Sequence, residues 1–136
     1  MKTRDLDGDI VDWKPSGEIV TAEDTRNRSQ LHLAARQILY ELFPTTQIIE
    51  EVSIPIKRGV TQYFDFFISN IKLAVEVNGQ QHYKFNSLFH STASDFMAQK
   101  KRDQDKRDWC EQNRITLIEL PYNEKIEEWL TRIQSR

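Results

Sequence analysis

Two acidic residues eleven positions apart, Asp65 and Glu76, sit in runs that read as neighbouring strands: Tyr63-Phe64-Asp65-Phe66-Phe67-Ile68, then Ser69-Asn70-Ile71, then Lys72-Leu73-Ala74-Val75-Glu76-Val77-Asn78-Gly79. In a hairpin, side chains alternate faces and directly opposed residues share a face. If Ile68 opposes Leu73, then Phe66 opposes Val75 and Phe64 opposes Val77, and that face is wholly apolar. On the other face Phe67 opposes Ala74, Asp65 opposes Glu76 and Tyr63 opposes Asn78. The hydrophobic pattern thus selects a register that sets the two carboxylates side by side, with Cβ atoms about 4.5–5.5 Å apart. Like charges in a partly dry site are costly. Either one carboxyl keeps its proton, or a cation sits between them. Oxygen ligands of this kind suit Mg²⁺, which can activate water and stabilise charge on a phosphate. In a shifted register, one of the two carboxylates would instead point to solvent.

The residues around this pair extend the chemistry. Gly79 ends the second strand and permits a sharp turn, after which Gln80-Gln81-His82-Tyr83-Lys84 follows. His82 suits a general base, a ligand or a phosphate contact, and equally an ordinary loop histidine. His32, in the first helix, and His90, in a loop, carry weaker signals. No HExxH or CxxC spacing exists and Cys110 is the one cysteine, so no zinc site is expected. Further on, Lys100-Lys101-Arg102-Asp103-Gln104-Asp105-Lys106-Arg107-Asp108 holds five cations and three acids with no apolar residue among them. It reads either as a solvated helix face laced by i,i+4 pairs or as one wall of a charged groove.

Several elements must position these groups. Leu31, Ala34, Ala35, Ile38, Leu39 and Leu42 recur at helical spacing, predicting a helix from Ser29, a good N-cap, to Phe43, before Pro44. Strands are predicted over 46–55, 62–68 and 72–78, then a long helix over 94–113 and a strand over 115–120. Pro121-Tyr122-Asn123 turns into a last helix striped by Ile126, Trp129, Leu130 and Ile133. The order helix-strand-strand-strand-helix-strand-helix is an α/β (α+β) pattern. Residues 29–136 read as a single domain and residues 1–28 as an acidic appendage, with a small hairpin of Ile10–Trp13 and Glu18–Val20 about a Lys14-Pro15-Ser16-Gly17 turn. Asp5-Leu6-Asp7-Gly8-Asp9 looks like half a calcium loop, but its Gly comes too early and the twelfth position is Ser16.

Composition narrows the function classes. The 136 residues are 38% hydrophobic and 29% charged, which suits one folded domain. Net charge is −2 and pI near 5.9, which argues against strong nonspecific nucleic-acid affinity; any anion-binding surface must come from local clustering. Residues 1–28 carry five basic and seven acidic side chains, and the remainder is neutral. The lone Cys fits a reducing compartment. No apolar run suits a membrane span or a secretion leader, so a cytoplasmic location is expected.

Taken together, Phe64-Asp65-Phe66-Phe67-Ile68, Val75-Glu76-Val77-Asn78-Gly79-Gln80-Gln81-His82-Tyr83, and Lys101-Arg102-Asp103 through Trp109-Cys110, Asn113 and Leu117-Ile118-Glu119-Leu120 resemble the PD-(D/E)XK nuclease superfamily. More closely, they resemble phage-type endonucleases related to very-short-patch repair and EDxHD homing endonucleases. The match runs over about residues 29–130. It implies a restriction-endonuclease-like core, a mixed four-stranded sheet flanked by helices. It further implies a Mg²⁺-dependent DNA endonuclease, with Mn²⁺ as a substitute ion, in a bacterial or phage-infected cell. By resemblance Asp65 is the central metal-binding Asp, Glu76 the second acidic ligand, and Val77 supplies a carbonyl to the ion. His82 matches the motif His and Asp103 the later helix Asp that pairs with it. Gln81, Lys84, Lys100, Lys101, Arg102, Lys106 and Arg107 would hold the DNA backbone.

Two departures stand out. Asn78 replaces the superfamily's lysine two residues after Glu76, so His82 or a lysine from the second long helix, Lys100 or Lys106, must take its role. Many relatives carry a Glu early in the first helix; here the nearest position is Gln30, with Glu41, Glu50 or Glu51 as substitutes. A catalytically silent nucleic-acid-binding or assembly module of the same fold is the competing expectation, and RNA is the competing substrate. Residues 1–28 suit a partner-binding arm, a homodimer contact or a lid.

Overall fold

A computed structural model describes residues 1–26, 28–79 and 92–136. Helix α1 spans Gln30–Leu42. The Ser29 hydroxyl accepts the His32 N–H at 3.1 Å, satisfying one amide that a helix start leaves without a partner. Strands β3 (Ile49–Lys57), β4 (Val60–Ile68) and β5 (Leu73–Asn78) form an antiparallel meander. Helix α2 (Ala93–Gln112) then precedes β6 (Thr116–Pro121), which pairs parallel to β5, as a strand reached by a helical crossover does. Helix α3 (Ile126–Gln134) closes the chain. The architecture is therefore mixed α+β: among the described residues, a four-stranded mixed sheet in the order β3-β4-β5-β6 with three helices.

The hairpin register is the one the hydrophobic pattern selects: Phe66 pairs with Val75, Phe67 with Ala74 and Ile68 with Leu73. A short 3-10 turn over Ser69–Ile71 and a left-handed Lys72 (φ 50°) make the connection. Each face of the sheet has its own core. On one face Phe66, Ile68, Leu73, Val75 and Leu120 pack with Ala35, Ile38 and Leu39 of α1 and Trp129 and Ile133 of α3. On the other, Val52, Ile54, Ile56, Phe67 and Ala74 pack with Trp109 and Cys110 of α2. Phe64 corrects the expected pattern: it joins Trp109 in the α2-side core rather than Phe66 and Ile68. Strict alternation thus fails between Phe64 and Phe66, across Asp65.

The amino-terminal segment is also corrected. The hairpin there is β1 (Lys2–Arg4) with β2 (Ile10–Asp12), not Ile10–Trp13 with Glu18–Val20. Its turn is the calcium-like Asp5–Asp9 run, where Asp5 Oδ1 accepts the amides of Asp7 and Asp9 at 3.0 and 2.9 Å. The expected Lys14–Gly17 turn is a strap instead. Trp13 enters the α2-side core, 5.2 Å from both Phe67 and Trp109 between ring centroids. A Cβ on Gly17 would lie 2.3 Å from the Glu50 carbonyl, so only glycine admits the close approach that lets Glu18 bridge to Glu50.

Candidate active site

The β4–β5 ladder stops at Phe66–Val75. One step beyond, the Asp65 carboxylate takes the place of a backbone acceptor: its Oδ2 receives the Val77 N–H at 2.7 Å. The strands fork there, and the row across the fork is acidic. Glu51 lies between the Glu50–Phe66 and Val52–Phe64 pairs of β3 and β4, as Asp65 does, and Glu76 pairs with Glu119 of β6. Four strands thus each carry an acid near the fork.

The neighbours of these acids differ. Glu76 is buried at 8% exposure, and Lys106 Nζ of α2 reaches its Oε1 at 2.7 Å. Burial first, and the Asp65 charge second, push the Glu76 pKa well above the usual carboxylate range, against the opposing pull of Lys106. Two carboxyl groups whose charges act on one another in this way are relieved by a shared proton or a cation. Glu119 is pulled the other way. Burial raises its pKa, but Arg107 (Nε–Oε2 and Nη2–Oε1, both 2.9 Å) and Asn78 (3.0 Å) outweigh that and lower it. Glu51 is half-buried, with a pKa raised by burial and then by Asp65.

Of the two acids, Asp65 is thus held by the Val77 amide and Glu76 by Lys106. Of the two helix lysines expected near the acids, Lys106 reaches Glu76, whereas Lys100 Nζ lies 5.5 Å above the Phe96 ring. Asn78 is buried and donates to Glu119. Lys101 is paired with Asp105 at 2.7 Å, Arg102 is exposed, and Asp103 is half-buried on α2. Gln81, His82 and Lys84, like His90, lie outside the described residues. Cys110 is buried, and burial, with Glu76 nearby, pushes its thiol up to about 12, so it is inert.

Sequence reasoning gave little weight to what lies on the α1 side of the fork. One ring nitrogen of His32 and one carboxylate oxygen each of Glu51 and Asp65 lie within 4.8 Å of one another. Behind them His32 Nε2 meets Glu50 Oε1 at 2.7 Å, and Arg36 Nε and Nη2 hold Glu50 at 2.7 and 2.8 Å. The signal was available: His32 and Arg36, four apart on a helix, share the buried face with Ala35 and Leu39 and so need a buried acid.

Comparison with known proteins adds relatives but no function. No family model matches the chain, and no solved structure matches it. The chain is similar to uncharacterized protein 307L of Invertebrate iridescent virus 6, 48% identical over 61 residues, 45% of this chain and 31% of that protein. Uncharacterized protein 033L of Invertebrate iridescent virus 3 is 47% identical over 62 residues, 46% of this chain and 32% of the relative. Uncharacterized protein 094L of Frog virus 3 (isolate Goorha) is 39% identical over 71 residues, 51% and 46% of the two chains. The matched stretches thus span about a third to a half of the relatives' length. Among the described residues no helix is long and apolar enough to cross a membrane.

Proposed function

We propose that this protein is a metal-dependent endonuclease that hydrolyses DNA phosphodiester bonds on a restriction-endonuclease-like core. The observation that carries the reading lies where β4 leaves β5: Asp65 is bound to the Val77 amide, and beside that amide the buried Glu76 meets the Lys106 ammonium at 2.7 Å. Such a set is costly to fold and useful for polyanion chemistry. Asp65, Glu76 and the Val77 carbonyl are hard oxygen donors that fit Mg²⁺, with Mn²⁺ as a substitute. A bound ion would neutralise charge on the scissile phosphate and acidify a water.

The chain's own residues do the rest. The strand fork holds Asp65 by the Val77 amide, so its carboxylate is oriented before substrate arrives. Burial and the Asp65 charge raise the Glu76 pKa, and a divalent ion held there would favour its carboxylate form. Lys106, positioned by Glu76 and 18% exposed at its side chain, presents its ammonium to the phosphate or the attacking water, the role Asn78 cannot fill. Attack forms one P–O bond to the water oxygen and breaks one ester P–O bond. The water's proton passes to a base, a role for which the resemblance offers His82, with Asp103 as its partner. Arg102 and Lys100 on α2 contact the backbone without reading bases.

A second reading, a silent nucleic-acid-binding or assembly module, is favoured by one observation. Lys101, Lys106 and Arg107 are engaged by Asp105, Glu76 and Glu119, which leaves α2 a weaker phosphate-binding surface than its sequence promises. A panel of plasmid, linear, single-stranded and branched DNA, with matched RNA, assayed with and without Mg²⁺ against the Asp65→Ala protein, separates the two. Ion-dependent cleavage abolished in the variant supports the enzyme. DNA retention with no cleavage in any ion supports the module.

A further inference from the structure

We propose that His32, Glu51 and Asp65 form a second divalent-cation site, one that takes a borderline transition ion such as Mn²⁺ in preference to Mg²⁺. It goes beyond the nuclease reading and shares only Asp65 with it. Three separate elements, α1, β3 and β4, bring one nitrogen and two carboxylate oxygens within 4.8 Å of each other. At octahedral bond lengths of about 2.1 Å, ligand atoms stand about 3 Å apart when adjacent and about 4.2 Å apart when opposite. Closing the group onto an ion therefore takes shifts of about an ångström per ligand atom.

An independent feature marks His32 as built for ligation. Metal-bound histidines usually give their second ring nitrogen to a carboxylate, which fixes tautomer and ring plane. His32 supplies the carboxylate half of that arrangement: Nε2 lies 2.7 Å from Glu50 Oε1, and Arg36 holds both Glu50 oxygens. The ring, 5% exposed, also stacks on Phe66 at 4.4 Å. With Nε2 committed to Glu50, Nδ1 is the nitrogen left to bind an ion. Glu51 is brought to the group by a left-handed backbone (φ 53°), a conformation a glutamate adopts only at a cost. Arg28 Nε, 3.7 Å from Glu51 Oε1, supplies partial compensation that an ion would complete. An imidazole among the donors sets the preference, because nitrogen raises affinity for first-row transition ions over the oxygen-seeking Mg²⁺.

The test is Mn²⁺ binding to the full chain, followed by loss of the free-ion electron paramagnetic resonance signal, with pulsed measurements of nitrogen coupling. The expected result is a bound ion coupled to one imidazole nitrogen and not displaced by equimolar Mg²⁺. His32→Gln should remove the coupling, and Glu51→Gln should weaken binding about tenfold or more. Glu76→Gln should leave the nitrogen-coupled ion in place. Because His32→Gln disturbs a buried ion pair, Glu51→Gln is the folding control, compared by circular dichroism. Bound Mn²⁺ without nitrogen coupling, coupling that survives His32→Gln, or unchanged affinity in Glu51→Gln would each overturn the site. Nitrogen-coupled Mn²⁺ in a protein that cleaves nothing would refute the nuclease reading alone; cleavage without nitrogen-coupled Mn²⁺ would refute this one alone.

Discussion

Glu50 and Glu76 are two buried carboxylates on adjoining parts of one sheet, and the protein treats them in opposite ways. Glu50, on the α1 side, is fully buried, yet Arg36 and His32 together supply hydrogen bonds to both oxygens. Burial pushes its pKa up, but those bonds outweigh burial and bring it below the usual value. Glu76, on the α2 side, has one ammonium and an acid for a neighbour, and its pKa rises. The first is finished structure. The second is an electrostatic deficit that the fold tolerates, and deficits of that kind gather where chemistry is done.

Substitution tests that contrast. The largest effect expected is on cleavage: Asp65→Ala and Glu76→Gln should each lose about 10²–10³-fold or more in single-turnover assays. Glu76→Gln should meanwhile keep or raise the thermal midpoint, since it removes a buried acid beside another. If it melts as early as a Glu50 variant, the two carboxylates are equivalent and the contrast is lost. Glu50→Ala should do the reverse, costing about 3–5 kcal/mol in urea denaturation by leaving Arg36 buried without its acid. Lys106→Met should lower cleavage about 10²-fold and push the Glu76 pKa higher still, readable in the carboxyl region of the NMR spectrum. An unchanged rate would remove Lys106 from the reaction.

Acid separates the two sites by sign. Glu50 has a depressed native pKa, so its contribution is present above the ordinary carboxylate value near 4.5 and is lost as pH falls through the depressed one. Wild type should therefore lose stability relative to Glu50→Gln below about pH 4. Glu76 has a raised native pKa, so the native state holds an extra proton. Its contribution is complete at low pH and is lost as pH rises through the raised value. The stability gap between Glu76→Gln and wild type should close on acidification. The smallest effect expected is Arg102→Ala, which should reduce the salt slope of DNA binding by about one without changing sequence preference.

Much of this was legible in one dimension, for stated reasons. The β4–β5 register followed from alternating apolar residues, because a one-residue slip would turn Phe66, Ile68, Leu73 and Val75 away from their core. Helix α1 followed from its period and from the Ser29 cap. Strand ends shifted by two or three residues: β3 begins at Ile49 and runs to Lys57 through Pro55. The amino-terminal hairpin was misplaced because Pro15 and Gly17 look like turn residues. Gly17 is instead demanded by the close Glu50 carbonyl, a contact 33 residues away in sequence that no local pattern encodes.

What the sequence by itself determined is the β4–β5 register from Phe66–Val75 to Ile68–Leu73, since apolar alternation and burial leave few alternatives. Only the tertiary structure decided which lysine meets Glu76, because five cations on one helix are indistinguishable until the helix is docked and rotated against the sheet. It alone also brought His32 and Glu51 to Asp65. That convergence depends on a backbone reversal of sign at Glu51 and on the packing of α1 across β3, and both are set by long-range contacts rather than by spacing.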